Sequence, residues 1–154
     1  MKAALALAAA AGALAACGEA ADVPPLGDYT QWHRHDLRGP TPGHGDDTYR
    51  IVYVNDAAAE DPSNSGAFAD GATLVKEVHD DDDGQPGALR ELAIMRRLGP
   101  PPPTLTGTGG WVFTLADDPG EPASGETRHD SCWSSCHVAA PYLGVWGNYD
   151  QPGP

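Results

Sequence analysis

The chain has 154 residues, room for one domain and little more, so a transport channel or a long repeat array is excluded. Nine basic residues against 22 acidic ones give a formal charge of -13, which repels DNA, RNA and anionic lipid and argues against a nucleic-acid partner. Gly 19 and Pro 15 favour short strands joined by turns over a helical bundle.

The chain opens with Lys2 and then an uncharged run of Ala and Leu to Ala16. This run is short for a membrane span and closes on small residues, as a secretory signal does. Leu14-Ala15-Ala16-Cys17 resembles a bacterial lipobox. In such signals the cysteine becomes the lipid-bearing N-terminus. The expected division is a signal at 1–16, a tether at 17–26, a domain at 27–150 and a tail at 151–154. Lipid on Cys17 would tether the protein to a bacterial membrane on the periplasmic or cell-surface side, where disulfides and covalent haem attachment are both available. Only Cys132 and Cys136 then remain.

Asp28 to His33 predicts a short helix, with Asp28 as N-cap and Tyr29 and Trp32 on one face. Gly39 to Asp47 reads as a loop. Thr48 to Asn55 is β-branched and aromatic and predicts a strand. Ala57 to Gly66 reads as a loop or short helix, and Phe68 to Gly71 as a turn. Ala72 to His79 predicts a second strand, with Leu74, Lys76 and Val78 on one face and Thr73, Val75 and Glu77 on the other. Asp80 to Gly84 reads as a charged hairpin tip. It fails the EF-hand template, because Arg90 stands where that loop needs Glu.

Leu89 to Leu98 has roughly helical spacing yet would also pair as a strand. Gly99 to Pro103 must be irregular. Gly110 to Leu115 predicts another strand, Asp117 to Asp130 a polar loop, and the end of the chain a Gly/Pro-containing tail. These elements add up to a small antiparallel sheet with short helices, mainly β or α+β in class.

Ser131 to His137 reads S-C-W-S-S-C-H. A C-x-x-C-H run attaches c-type haem: two thiols add to the vinyl groups, and the next histidine becomes the axial iron ligand. Here three residues separate the cysteines, and a pair at i and i+4 still shares one side of a helical turn. Three other uses stay open. Cys132 and Cys136 could form a disulfide. They could bind a metal with His137 and His129, or act as redox thiols. His129 is the dispersed histidine placed to approach a haem edge, and Met95 is a candidate sixth ligand.

Wider landmarks run from Tyr29-x-x-Trp32 and Tyr53-Val54-Asn55 to Phe68-Ala69-Asp70-Gly71-Ala72-Thr73-Leu74-Val75-Lys76-Glu77. Met95, Gly110-Trp111-Val112-Phe113 and the cysteine–histidine motif follow in order. On these the chain resembles the cytochrome P-460 family, which includes cytochrome c′-beta, over Tyr29 to Tyr149. The resemblance implies a mainly antiparallel β fold and a single covalent haem c with its iron, held by Cys132, Cys136 and His137. It also implies an open iron face for hydroxylamine or a nitrogen oxide, electrons passed to a partner cytochrome, and frequent homodimerisation. In hydroxylamine-oxidising members the lysine matching Lys76 is bonded to the macrocycle. Lys76 is the sole lysine after Lys2. Desolvation beside Leu74 and Val78 would make its amine a better nucleophile. The same segment also suits pairing of Lys76 with a carboxylate or haem propionate. Trp111 and Phe113 are expected in the pocket wall, and Met95 becomes a core residue. The alternatives are a non-enzymatic gas-binding or electron-transfer cytochrome, and a haemless lipoprotein with a Cys132–Cys136 disulfide.

Overall fold

The computed structural model describes residues 23–37, 47–59, 68–98, 110–116, 127–141 and 144–147. The expected signal, Cys17, most of the tether, the 151–154 tail and most of the predicted loops lie outside these residues. Six strands form one sheet in simple sequence order, each antiparallel to the next. They are β1 (His33–Leu37), β2 (Thr48–Val54), β3 (Thr73–Asp82), β4 (Gln85–Arg97), β5 (Trp111–Ala116) and β6 (Thr127–Arg128). Two short helices accompany them, α1 (Asp56–Ala59) and α2 (Ser131–Ser135), with 3-10 turns at Tyr29–Gln31 and His137–Ala139. The expected mainly-β architecture is the one observed. Among the described residues no helix is long and apolar enough to cross a membrane.

The helix expected at Asp28 is the single 3-10 turn. Asp28 does not cap it; its carboxylate accepts a hydrogen bond from the Thr30 hydroxyl at 2.6 Å instead. The ambiguous Leu89–Leu98 stretch is strand, because β3 and β5 pair with it on both sides. The hairpin tip is shorter than expected: strands run to Asp82 and from Gln85, leaving Asp83 and Gly84, both with positive φ. That two-residue Asp-Gly turn matches the twist of the flanking strands.

Alternation along the strands builds two cores. On one face, Val52, Lys76, Ala93 and Leu115 stand side by side across β2 to β5. The next row is Val54, Leu74, Met95 and Phe113. The other face carries Tyr53, Val75 and Ile94, which pack with Tyr29 and Leu92. Tyr29 closes that second core. Its hydroxyl donates to Glu77 Oε1 at 2.8 Å, and its ring meets Tyr53 edge-on at 5.3 Å. The other Glu77 oxygen faces His79 Nε2 at 3.0 Å, and His79 Nδ1 faces the Gly87 carbonyl at 3.0 Å.

Asn55 ties the end of β2 to the start of β3. Its Oδ1 accepts from the backbone N–H groups of Ala58 and Thr73, each at 3.0 Å, and its Nδ2 donates to the Gly71 carbonyl at 2.9 Å. The first of these caps α1. Asn55→Ala orphans the Thr73 N–H and removes the side-chain cap from Ala58, whose N–H keeps the Asn55 backbone carbonyl at 2.9 Å. A loss of about 1–3 kcal/mol in unfolding free energy is therefore expected in urea titration. A change below about 0.5 kcal/mol would show that this knot contributes nothing.

Candidate functional site

A cavity opens on the face carrying Lys76 and encloses about 570 Å³ of space between atoms, part of it open to solvent. Its floor is the sheet: Val52 from β2, Leu74 and Lys76 from β3, Ala93 and Met95 from β4, Phe113 and Leu115 from β5. Its other walls come from Cys132 in α2, His137 in the following 3-10 turn, and Val145 and Trp146. A largely apolar pocket with a few convergent polar groups is the usual form of a ligand site.

α2 carries Cys132 through one turn, and the Cys136 N–H closes it on the Cys132 carbonyl at 3.2 Å. Cys136 then leaves helical geometry, at φ -139 and ψ -53, and this break turns His137 toward the sheet. Both thiols are half-buried and free. Burial raises the Cys132 thiol pKa, with Lys76 opposing. The two cysteines thus stand four residues apart on a helical turn beside the histidine, as their spacing suggests.

His137 Nδ1 lies 2.7 Å from the Gly144 carbonyl. A carbonyl can only accept, so Nδ1 carries the hydrogen, and a neutral ring then keeps its lone pair on Nε2. Burial lowers the His137 pKa, which favours that neutral ring; the Gly144 bond opposes the shift. The Phe113 ring sits 4.9 Å from the imidazole, tilted by 52°. An apolar wall, a neutral imidazole anchored through one nitrogen, and two free thiols on the adjacent turn form a donor set that suits an iron porphyrin.

The family model for Cytochrome P460 matches residues 26–142. The chain belongs to that family. Membership brings haem and its iron as the cofactor, and the cavity presents donors that suit it. No curated relative matches the chain. The P460 match spans β1 to β6 and ends just after the cysteine–histidine motif, so the sheet and that motif lie within it, while Gly144, Val145 and Trp146 follow it.

Not every residue singled out in the sequence reaches the cavity. Phe113 and Met95 line it. Trp111 is only 1% exposed, but it is packed edge-on against Phe68 at 5.2 Å and does not border the cavity. His129 is held by its backbone, N–H to the Phe113 carbonyl at 2.9 Å, and is absent from the walls. Among the described residues no three His, Cys, Asp or Glu side chains are placed to hold a bare metal ion, so the metal reading with His129 lacks a ligand set. Sequence reasoning missed Val145 and Trp146, which fall inside the expected domain but received no element or role. Gly144 beside them was the available signal, because a lone glycine before two large apolar residues marks a backbone turn.

It also missed the charges around Lys76. Arg50, which is 2% exposed, and Glu91 both lie opposite Val78, on β2 and β4, and so are diagonal neighbours of Lys76 on the cavity face. Burial, and then the Arg50 charge, pull the Lys76 amine down to about 8, with Glu91 and the two cysteines opposing. The folded chain therefore binds this proton less tightly than the unfolded one, whose amine titrates near 10.5. The resulting cost to stability is full below about pH 8 and is relieved as pH rises toward 10.5. In haem-free protein, Lys76→Met is expected to raise the unfolding free energy at pH 7 by on the order of 1–3 kcal/mol. The gain should shrink as urea melts move toward pH 10.5. A gain that stays constant with pH would show that the amine is not desolvated.

Proposed function

We propose that this P460 cytochrome carries one covalent haem, through thioether bonds from Cys132 and Cys136, with His137 as the axial iron ligand. The observation that carries the reading is the shared cavity. Cys132, the neutral His137 and the desolvated Lys76 all face one apolar space in a chain of this family. When bound, haem supplies the redox chemistry and a coordination site for a small nitrogen ligand. The protein's part is orientation and access. His137 presents Nε2, while Leu74, Phe113 and Val145 line the cavity with hydrocarbon that excludes water.

The reaction class is oxidation of hydroxylamine or handling of nitric oxide, with electrons leaving to a partner cytochrome. In this reading the Lys76 amine is also bonded to the macrocycle. That oxidation replaces an N–H and a C–H and needs a two-electron oxidant such as a peroxide. The low amine pKa supports it, because a neutral amine is the nucleophilic form. The proposed location follows from the first seventeen residues: export, lipid on Cys17, and tethering to a bacterial membrane on its outer side. A homodimer belongs to the same reading. Met95 in the cavity wall favours one second reading, an electron carrier in which the thioether is the sixth ligand.

Intact mass and optical spectra test this, on protein made in a host with periplasmic haem-maturation machinery. The expected result is one haem that survives denaturation, with a red-shifted, abnormal ferrous spectrum that Lys76→Arg returns to an ordinary c-type one. An ordinary wild-type spectrum unchanged by Lys76→Arg would refute the cross-link. An ordinary spectrum altered by Met95→Leu would establish the electron carrier. Absence of haem would refute both and leave the disulfide-containing lipoprotein.

A further inference from the structure

The interval between the two cysteines holds an aromatic residue, and the fold gives it a partner. Trp133 is half-buried and packs on the core that contains Trp111 and Val145. Gly144 lies between the two indoles, which belong to α2 and β5. A Cβ at Gly144 would stand 2.7 Å from Trp133 Cζ3 and 3.1 and 3.3 Å from Trp111 Nε1 and Cδ1. Its φ of +94° independently demands glycine. The position therefore accepts no side chain, on grounds of both space and backbone. The carbonyl of this wedged residue is the one that receives the His137 Nδ1–H at 2.7 Å.

We infer that Trp111, Gly144 and Trp133 form a positioning clamp for His137. Two rings hold the glycine backbone, the glycine carbonyl holds Nδ1–H, and the direction of Nε2 follows. This inference rests on the reading in which His137 ligates the haem iron, and it explains why the attachment loop and the 144–147 segment are packed together. It assigns a role to the first residue of the long interval: Trp133 ties the loop to the backbone that orients its own histidine. It also accounts for Trp111 without placing it in the cavity wall. These are positioning residues, because the described contacts put neither indole against the reacting space. Partners one shell behind a metal ligand fix its tautomer and raise its basicity, and losing one changes metal affinity or activity by roughly 10–100-fold.

The test uses the full-length holoprotein and the variants Trp133→Ala, Trp133→Phe and Gly144→Ala. The readouts are haem mass after denaturation, the iron–histidine stretch in resonance Raman, and the affinity of the ferrous iron for carbon monoxide. Trp133→Ala and Gly144→Ala are expected to keep the attached haem, shift the stretch, and change carbon monoxide affinity about 10-fold. Trp133→Phe, which retains a ring, is expected to restore most of both. Haem retained with a wild-type stretch and affinity in Trp133→Ala and Gly144→Ala would overturn the clamp and leave the haem reading standing. If the wild type proves haemless, the clamp falls with the reading it rests on; if only the variants fail to fold, nitrogen-15 NMR of the His137 ring in haem-free wild-type protein decides the matter. A neutral ring with hydrogen on Nδ1 upholds the clamp, and hydrogen on Nε2 overturns it.

Discussion

Everything on both sides of the sheet depends on the two-residue alternation of β3. As the third strand of six it pairs with β2 and β4 along most of its length, so its register is held from both sides. A slip of one residue would exchange its faces. Lys76 would leave the cavity, and Glu77 would leave the hydroxyl of Tyr29. Adjacent residues of opposite charge thus serve two separate cores, and the register decides which core each enters.

The cavity face joins apolar packing to buried charge. Leu74, Met95, Phe113 and Val145 keep water out, and that exclusion makes the ionised Lys76 amine costly. Arg50 adds a second buried cation on the same face, while Glu91 offsets part of the repulsion. A chain optimised only for stability would fill these positions with hydrocarbon. A buried amine and guanidinium beside two thiols and a neutral imidazole is the kind of clustering that marks functional sites.

The wider-than-usual cysteine interval has a structural consequence of its own. The helical turn closes at Cys136 and then breaks, which swings His137 beside Phe113. Within that interval Trp133 packs on the core beside Gly144, eleven positions later. Histidine orientation therefore depends on a contact between two stretches that the intervening chain does not bring together by itself.

Much of this was legible in the residues alone. Thr48–Val54 could only be strand, because seven β-branched, aromatic or long residues in sequence suit a pleated surface covered on both sides. The assignment of Leu74 and Lys76 to one face and Val75 and Glu77 to the other followed from strand geometry, and the order of landmarks pointed to the family. Leu89–Leu98 was different, since its spacing satisfied helix and strand alike, and only the neighbours β3 and β5 settled it. The same holds for Trp111 and Phe113. They share a face two residues apart, yet only Phe113 borders the cavity, because Phe68 and Gly144 cover Trp111. Arg50 carried no local pattern at all, and Gly144 marked a turn before Val145 without indicating what either would meet. Local propensity and alternation act over a few residues and are written in the chain. Which carbonyl meets His137, and which charges flank Lys76, depends on segments brought together only by folding, and that information exists only in the tertiary structure.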